Sequence, residues 1–103
     1  MPTFNDLEMK VIRWAESRKI IPNSTPLAQY RKCCEEIDEL GQALDRNDVD
    51  LIKDGVGDVL VCLINLCALQ GIGMVECLSL AYEEIKDRKG TMNSAGIFVK
   101  EGQ

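Results

Sequence analysis

The sequence predicts an all-α fold, a single domain of 103 residues built like a four-helix bundle. Apolar residues recur at intervals of three and four along most of the chain, which is the spacing of one buried helix face. Capping residues, prolines and glycines separate these stretches. One stretch, from Val56 to Leu69, is apolar on nearly every side, and such a helix must be covered all round. We therefore expect homo-oligomerisation to complete the core.

The first predicted helix follows a capping residue, Asn5 or Asp6, and ends before Pro22. Asparagine and aspartate are favoured at helix starts, whereas proline interrupts helix interiors. Residues 20–25 are expected to form a connector. The apolar face of this helix comprises Phe4, Leu7, Val11, Trp14 and Ala15.

The second predicted helix begins at Pro26 after a Ser24 or Thr25 cap and runs to about Asp45. Proline fits the first turn of a helix, where its missing N–H costs nothing. The expected core stripe comprises Tyr30, Cys33, Ile37, Leu40 and Leu44. The polar flank comprises Gln29, Lys32, Glu36 and Glu39.

The last predicted helix runs from about Met74 to Lys89 and ends at Gly90, because glycine readily terminates helices. The helical core is therefore expected over about residues 5–89. Residues 90–103 form a C-terminal tail, with a short extended piece at 96–99. The inner face of the last helix comprises Met74, Leu78, Ala81 and Ile85.

The third helix, capped by Asn47 or Asp48, carries a polar line on an otherwise apolar surface. Asp54, Asp58 and Asn65 fall within roughly 40° of one another around its axis at about 100° per residue. Burying an unpaired carboxylate costs several kcal/mol or more. These carboxylates therefore need a partner, which is a metal ion, a cationic side chain or a ligand.

The second helix offers further carboxylates, with Glu36 and Glu39 one turn apart on the same face. If the second and third helices are antiparallel, as a short connection implies, their acidic lines face each other. Carboxylate oxygens with retained waters suit Mg²⁺ or Mn²⁺. Two simpler interpretations stay open: the glutamates form a solvated helix face, and Asp54 complements a helix dipole.

Composition excludes several classes of function. The chain has five cysteines without a Cys-x-x-Cys pair and no histidine, which argues against a zinc site and a histidine-based triad. The net charge of -5 argues against a nucleic-acid polymer as partner. No stretch has the length expected of a membrane span or the pattern of a secretory leader. We expect a cytoplasmic protein, in the host cytoplasm if a phage encodes it.

The sequence resembles a known family at its acidic motifs. Glu-Glu-Ile-Asp-Glu-Leu at 35–40 and Gly-Asp-Val-Leu at 57–60 resemble the signature of MazG-like all-α nucleotide pyrophosphohydrolases, especially the short single-domain forms of bacteriophages. The likeness extends from about Trp14 to Lys89. It implies a four-helix arrangement assembled as a dimer or a dimer of dimers. It also implies Mg²⁺-dependent hydrolysis of a nucleoside triphosphate to the monophosphate and pyrophosphate, by attack of water on the α-phosphorus.

The resemblance also assigns roles to individual residues. Glu36, Glu39 and Asp58 correspond to metal ligands of the family. The glutamate expected three residues before Asp58 is Gly55 here, so Asp54 is expected to take over that ligand role. Glu35, beside the ligand line, is a candidate catalytic residue that holds or deprotonates the attacking water.

Five further residues are candidates for substrate binding. Lys32, Lys86 and Arg88 are predicted to offset the charge of the leaving pyrophosphate, with ordinary surface cations as the alternative. Asn65 is predicted to hydrogen-bond the sugar or base, or merely a neighbouring helix. Trp14 is predicted to stack on the base, or to belong to the core.

Two alternatives to a nucleoside triphosphate pyrophosphohydrolase stay open. Phosphoribosyl-ATP pyrophosphohydrolases share the acidic motif, so the sequence alone does not separate them. A non-catalytic helical dimerisation or regulatory module would use the same acidic lines to bind a basic partner.

Overall fold

The computed structural model describes residues 1–102; Gln103, the end of the predicted tail, lies outside the described residues. The fold is all-α apart from a small C-terminal hairpin. The helices are α1 (Phe4–Ser17), α2 (Ile20–Asn23), α3 (Pro26–Arg46), α4 (Val49–Leu69) and α5 (Met74–Ile85). The strands are β1 (Gly90–Met92) and β2 (Phe98–Lys100), which pair antiparallel.

The helix starts follow local capping chemistry. Thr3, rather than the predicted Asn5 or Asp6, caps α1: its Oγ1 accepts from the Asp6 N–H at 3.1 Å, and the Asp6 carboxylate accepts from the Thr3 N–H at 3.1 Å. This reciprocal pair is a capping box. The prediction of Thr25 as the cap of α3 is confirmed, with Oγ1 accepting from the Ala28 N–H at 3.0 Å.

The predicted connector contains a short helix of its own, α2, which includes Pro22. Ile21 departs from helical geometry there, with φ -102° and ψ 124°, so proline sits at a bend instead of inside a regular helix. Residues 20–25 therefore connect α1 to α3 as predicted, through a short helix that the sequence analysis did not include.

The α3–α4 pair is the centre of the molecule. Asn47, with a left-handed φ of 53°, ends α3, and the next residue, Asp48, caps α4 by accepting from the Asp50 and Leu51 N–H groups at 3.1 and 3.2 Å. A connection this short folds the two helices back on each other as a helical hairpin. Their contact is the most extensive between any two elements of residues 1–102.

The last helix ends at Ile85, not at the predicted Lys89. Residues 90–100 form a β-hairpin in which Gly90 lies opposite Lys100, and Met92 opposite Phe98. The predicted extended piece at 96–99 thus becomes part of a paired strand. The hairpin packs on none of the helices described here.

The single chain leaves much of its apolar surface uncovered. Its buried core is made mostly of small side chains: Ala15, Cys33, Ala43, Cys62, Ile64 and Cys67. The accessible surface is 7825 Å², against about 5800 Å² expected for a compact monomer of this mass. The radius of gyration is 16.1 Å, against about 13 Å expected.

Several residues of the predicted core stripes are exposed in the single chain, so these stripes are not buried within it. They comprise Phe4, Leu7, Trp14, Tyr30, Ile37, Leu44, Leu78, Ala81 and Ile85.

The α5 start is held by a residue that the sequence analysis did not single out. Glu8 of α1 is only 7% exposed, and its Oε2 accepts from the Met74 N–H at 2.7 Å. The carboxylate thus meets one of the free N–H groups at the positive end of the α5 dipole. Glu8 therefore ties α1 to α5.

No single helix in residues 1–102 is long and apolar enough to cross a membrane. Helices α4 and α5 pass that test of length and composition only as a pair, across a bend of 101°.

Candidate active site

Helix α3 places a cation beside its carboxylates. Lys32 Nζ lies 3.5 Å from Glu36 Oε1 and 3.9 Å from Glu35 Oε2, which is the one-turn spacing of neighbours on a helix. The nearby Glu35 and Glu36 carboxylates raise the pKa of the Lys32 ammonium. Glu36, on the predicted polar flank of this helix, is buried, at 9% exposure, which does not fit the simpler interpretation of a solvated face.

Helix α4 brings Asp58 to the same place. Partial removal from water raises the pKa of the Asp58 carboxyl, and the charges of Glu36 and Asp54 raise it further. Like charges favour the neutral form of an acid because two neighbouring anions repel. The acidic lines of α3 and α4 therefore do face each other, as the sequence predicts.

The pKa of Glu39 is also raised by neighbouring negative charges. The nearby Glu36 carboxylate raises the pKa of Glu39, and Asp58 adds to the effect. Repulsion of this kind becomes attraction when a divalent cation lies between the groups. The oxygen donors are those that Mg²⁺ and Mn²⁺ prefer, so the chemistry of the set fits such an ion.

In this conformation the carboxylates do not form a complete set of metal ligands. Among residues 1–102, no three Asp, Glu or Cys side chains converge closely enough to hold a metal ion as they stand. Metal binding at this site requires these side chains to turn toward one another.

Two open grooves meet at Asp58. The first, of about 180 Å³, has Glu39, Asp54 and Asp58 in its lining, together with Arg46. The second, of about 370 Å³, runs from Glu36 and Asp58 to Asn65. Asp58 is the residue common to both linings, so it lies between an acidic groove and a more apolar one.

The second groove contains three of the predicted substrate-binding residues, Trp14, Lys32 and Asn65. Trp14 is 45% exposed, so it is not a buried core residue of the single chain. Asn65 is 2% exposed, and its Oδ1 has no hydrogen-bond partner in residues 1–102. Leaving a buried amide oxygen unpaired costs about 1–3 kcal/mol.

Three predicted site residues line neither groove: the catalytic candidate Glu35 and the phosphate-binding candidates Lys86 and Arg88. Glu35 is on the exposed side of α3 and lines neither groove. Lys86 follows the end of α5 and pairs with Glu83 at 2.7 Å. Arg88, predicted in the last turn of a helix, lies beyond it beside the β-hairpin. Lys86 and Arg88 are not brought to either groove within one chain.

The structure adds two residues that sequence reasoning missed. Arg46 lines the acidic groove, although the sequence places it in an unremarkable turn. Gln29 lines the second groove and donates from Nε2 to Ser24 Oγ at 3.0 Å. The only available signal for Gln29 was its place on the polar flank that also carries Lys32 and Glu36.

Comparison with known proteins identifies the family. Residues 24–92 match the MazG nucleotide pyrophosphohydrolase domain, which is more than half of the chain. The chain belongs to the MazG family. A relative of this MazG chain is an uncharacterized 18.2 kDa protein in the rep-hol intergenic region of Haemophilus phage HP1 (strain HP1c1), which is 35% identical over 75 residues. The aligned part covers 73% of this chain and 46% of that protein, so the chain spans about half the length of its curated relative.

A solved structure has the same fold. The cyanophage S-2L MazG-like pyrophosphohydrolase, bound to dGDP and three catalytic Mn²⁺ ions per active site, matches with a TM-score of 0.71 and 23% identity. The match covers 97% of this chain and 98% of the cyanophage chain. The predicted all-α MazG fold is confirmed.

The departure from the MazG signature at Gly55 coincides with close helix packing. A Cβ atom on Gly55 would lie 3.2 Å from Leu40 Cδ1 and 3.3 Å from Leu40 Cβ, which is tighter than ordinary contact. A glutamate at this position would require Leu40 to shift. Asp54 lines the same groove as Glu39 and Asp58, so its location suits the predicted replacement of the missing ligand.

Proposed function

We propose that this MazG chain is a divalent-cation-dependent pyrophosphohydrolase that converts a nucleoside triphosphate to the monophosphate and pyrophosphate. The observation that carries the proposal is a cluster of carboxylates that line two adjoining grooves where α3 meets α4: Glu36, Glu39, Asp54 and Asp58. A helical pair that only supported a fold would gain stability by replacing such groups with neutral ones. Retaining them beside an open groove is consistent with a cation and a phosphate ester as ligands.

In this proposal Glu36, Glu39, Asp54 and Asp58 hold Mg²⁺ or Mn²⁺. An ion held there would supply neutralisation of the phosphate oxygens and a water of lowered pKa as the nucleophile toward the α-phosphorus. Glu35 lines neither groove, so it would have to turn toward them to orient that water or take its proton. The dGDP and Mn²⁺ bound by the cyanophage neighbour support a nucleotide and a divalent cation as the ligands here.

In this proposal one chain supplies Lys32 to the phosphates, and a second copy of the chain supplies Lys86 and Arg88. Lys32 lines the groove of its own chain and is positioned to offset phosphate charge. Lys86 and Arg88 lie outside both grooves, so their proposed role with pyrophosphate requires a partner copy. The excess accessible surface and the extended shape of the single chain support a homodimer or a dimer of dimers.

The test is pyrophosphate release from a panel of ribo- and deoxynucleoside triphosphates and phosphoribosyl-ATP, with Mg²⁺ or Mn²⁺. Asp58→Asn is expected to abolish release, because Asp58 lies between both grooves. Asp38→Asn is the matched control, since it removes an exposed α3 carboxylate that lines neither groove.

The outcomes separate the alternatives. Hydrolysis of phosphoribosyl-ATP alone would establish the related enzyme class instead. No turnover and no response to either cation would refute the proposal and favour an interaction module.

A further inference from the structure

The side chains that line the second groove change from acidic to apolar to amide along one face of α4. Asp58 and Glu36 lie at one end, Val61 lies between, and Asn65 is at the other end. Asn65 follows Asp58 by seven positions, a distance of about 10 Å along a helix that rises about 1.5 Å per residue. This is about the span from the α-phosphate of a nucleotide to the outer edge of its base.

Asn65 is the unusual member of this lining. Its neighbours along α4 are apolar, and Ile64 beside it is 5% exposed. An apolar side chain of the same size would cost less free energy to bury here, since the Asn65 Oδ1 has no hydrogen-bond partner in residues 1–102. A buried acceptor that the described chain leaves unpaired, in the wall of an open groove, is suited to a donor supplied by a ligand.

We propose that Asn65 is a specificity-determining residue, whose Oδ1 accepts a hydrogen bond from the exocyclic amino group of the substrate base. This inference rests on the proposed function, because it takes the carboxylate end of the groove as the phosphate end. Trp14, on the same groove, presents an aromatic surface on which a flat base stacks.

The location of the amide favours a base over a sugar as the donor. The sugar is attached directly to the α-phosphate and therefore lies nearer Asp58, whereas Asn65 is two helical turns away. The Oδ1 is also recessed, with almost no accessible surface of its own. Rotation of the side-chain amide would turn the Oδ1 toward the groove, where a group that projects beyond the ring, such as an exocyclic amine, would reach it better than a ring N–H.

The kinetic test uses pairs of substrates that differ only in one amino group. We expect the wild-type protein to prefer dGTP over dITP, or dATP over purine deoxyriboside triphosphate, by at least about tenfold in kcat/KM. Asn65→Leu keeps the size of the side chain but removes the acceptor, so it should abolish that preference. Gln70→Leu is the matched control, because it removes an exposed amide at the end of the same helix.

A binding test makes the inference independent of turnover. Trp14 is the only tryptophan in the sequence, so its fluorescence reports a base that enters the groove. Titration with dGMP against dIMP, and with dAMP against purine deoxyriboside monophosphate, should show the same preference even if no triphosphate is hydrolysed.

Two results would overturn the assignment. One is equal binding and turnover of both members of each pair by the wild-type protein. The other is a preference that persists unchanged in Asn65→Leu. Hydrolysis without base preference would refute the role of Asn65 while leaving the proposed reaction intact.

Discussion

Replacing Asp58 with asparagine is expected to have opposite effects on stability with and without a divalent cation. In the metal-free protein, burial and the charges of Glu36 and Asp54 raise the pKa of Asp58. The charged form is thus less favourable in the folded chain than in the unfolded one. Neutralising it should stabilise the metal-free protein.

The size of this effect follows from the exposure of the side chain. Asp58 is largely accessible, so solvent screening limits the gain to about 0.2–1 kcal/mol. At about 4–8 °C per kcal/mol for a domain of this size, the melting temperature should rise by roughly 1–8 °C. A cation at a hundred times its dissociation constant stabilises the wild type by about 2.7 kcal/mol, which is roughly 10–20 °C.

The assay is thermal unfolding with EDTA and then with millimolar Mg²⁺ or Mn²⁺, at one protein concentration. Asp58→Asn should melt above the wild type in EDTA and below it with the cation, whereas Asp38→Asn should gain as much from the cation as the wild type. The advantage in EDTA should shrink as the pH falls and the wild-type carboxyl, whose pKa is raised in the folded chain, also becomes protonated. A variant that melts lower in EDTA, or that gains as much from the cation as the wild type, would refute this reasoning.

Three other predictions concern the scaffold. Glu8→Ala should lower the free energy of unfolding by about 1–3 kcal/mol in urea titrations, because the buried Met74 N–H loses its acceptor; Glu16→Ala, on the exposed side of α1, should change it far less. Gly90→Ala should open the β-hairpin, since an added Cβ would collide with the Val99 carbonyl oxygen and the Phe98 ring. Trypsin should then cleave faster at Lys89 or Lys100 while the helical circular dichroism is unchanged, and a loss of helix would contradict the independence of the hairpin. Burial and the neighbouring Cys77 thiol raise the pKa of Cys67 to about 11, so at pH 8 it should resist iodoacetamide while the exposed Cys34 reacts; mass spectrometry that finds Cys67 labelled first would contradict this.

The sequence was most informative where local chemistry decides the structure. Thr25 followed by Pro26, and Asp48 before an apolar run, specify helix starts without reference to the rest of the chain, and both predictions are confirmed. The facing of the acidic lines also followed from a short connection and helical periodicity. Thr3 was missed because its capping box competes with two equally good cap residues just after it.

Burial was harder to predict because it depends on which copy of the chain covers a face. Periodicity correctly marks Ile37 and Leu44 as one side of α3, yet both are exposed in the single chain. Glu8 could not be found by pattern, because its partner is a backbone N–H 66 residues away. The position of Arg88 was wrong because α5 ends one turn before the glycine that seemed to terminate it.

The placement of Asp58 and Asn65 on one uninterrupted helix has an evolutionary consequence. One inserted or deleted residue between them would rotate Asn65 by about 100° relative to Asp58. Point substitutions at Asn65 or Trp14, by contrast, leave the carboxylate end of the groove in place. We therefore expect homologues to diverge in nucleotide preference through substitutions around this groove, while the seven-residue interval stays constant and length changes accumulate in the loops.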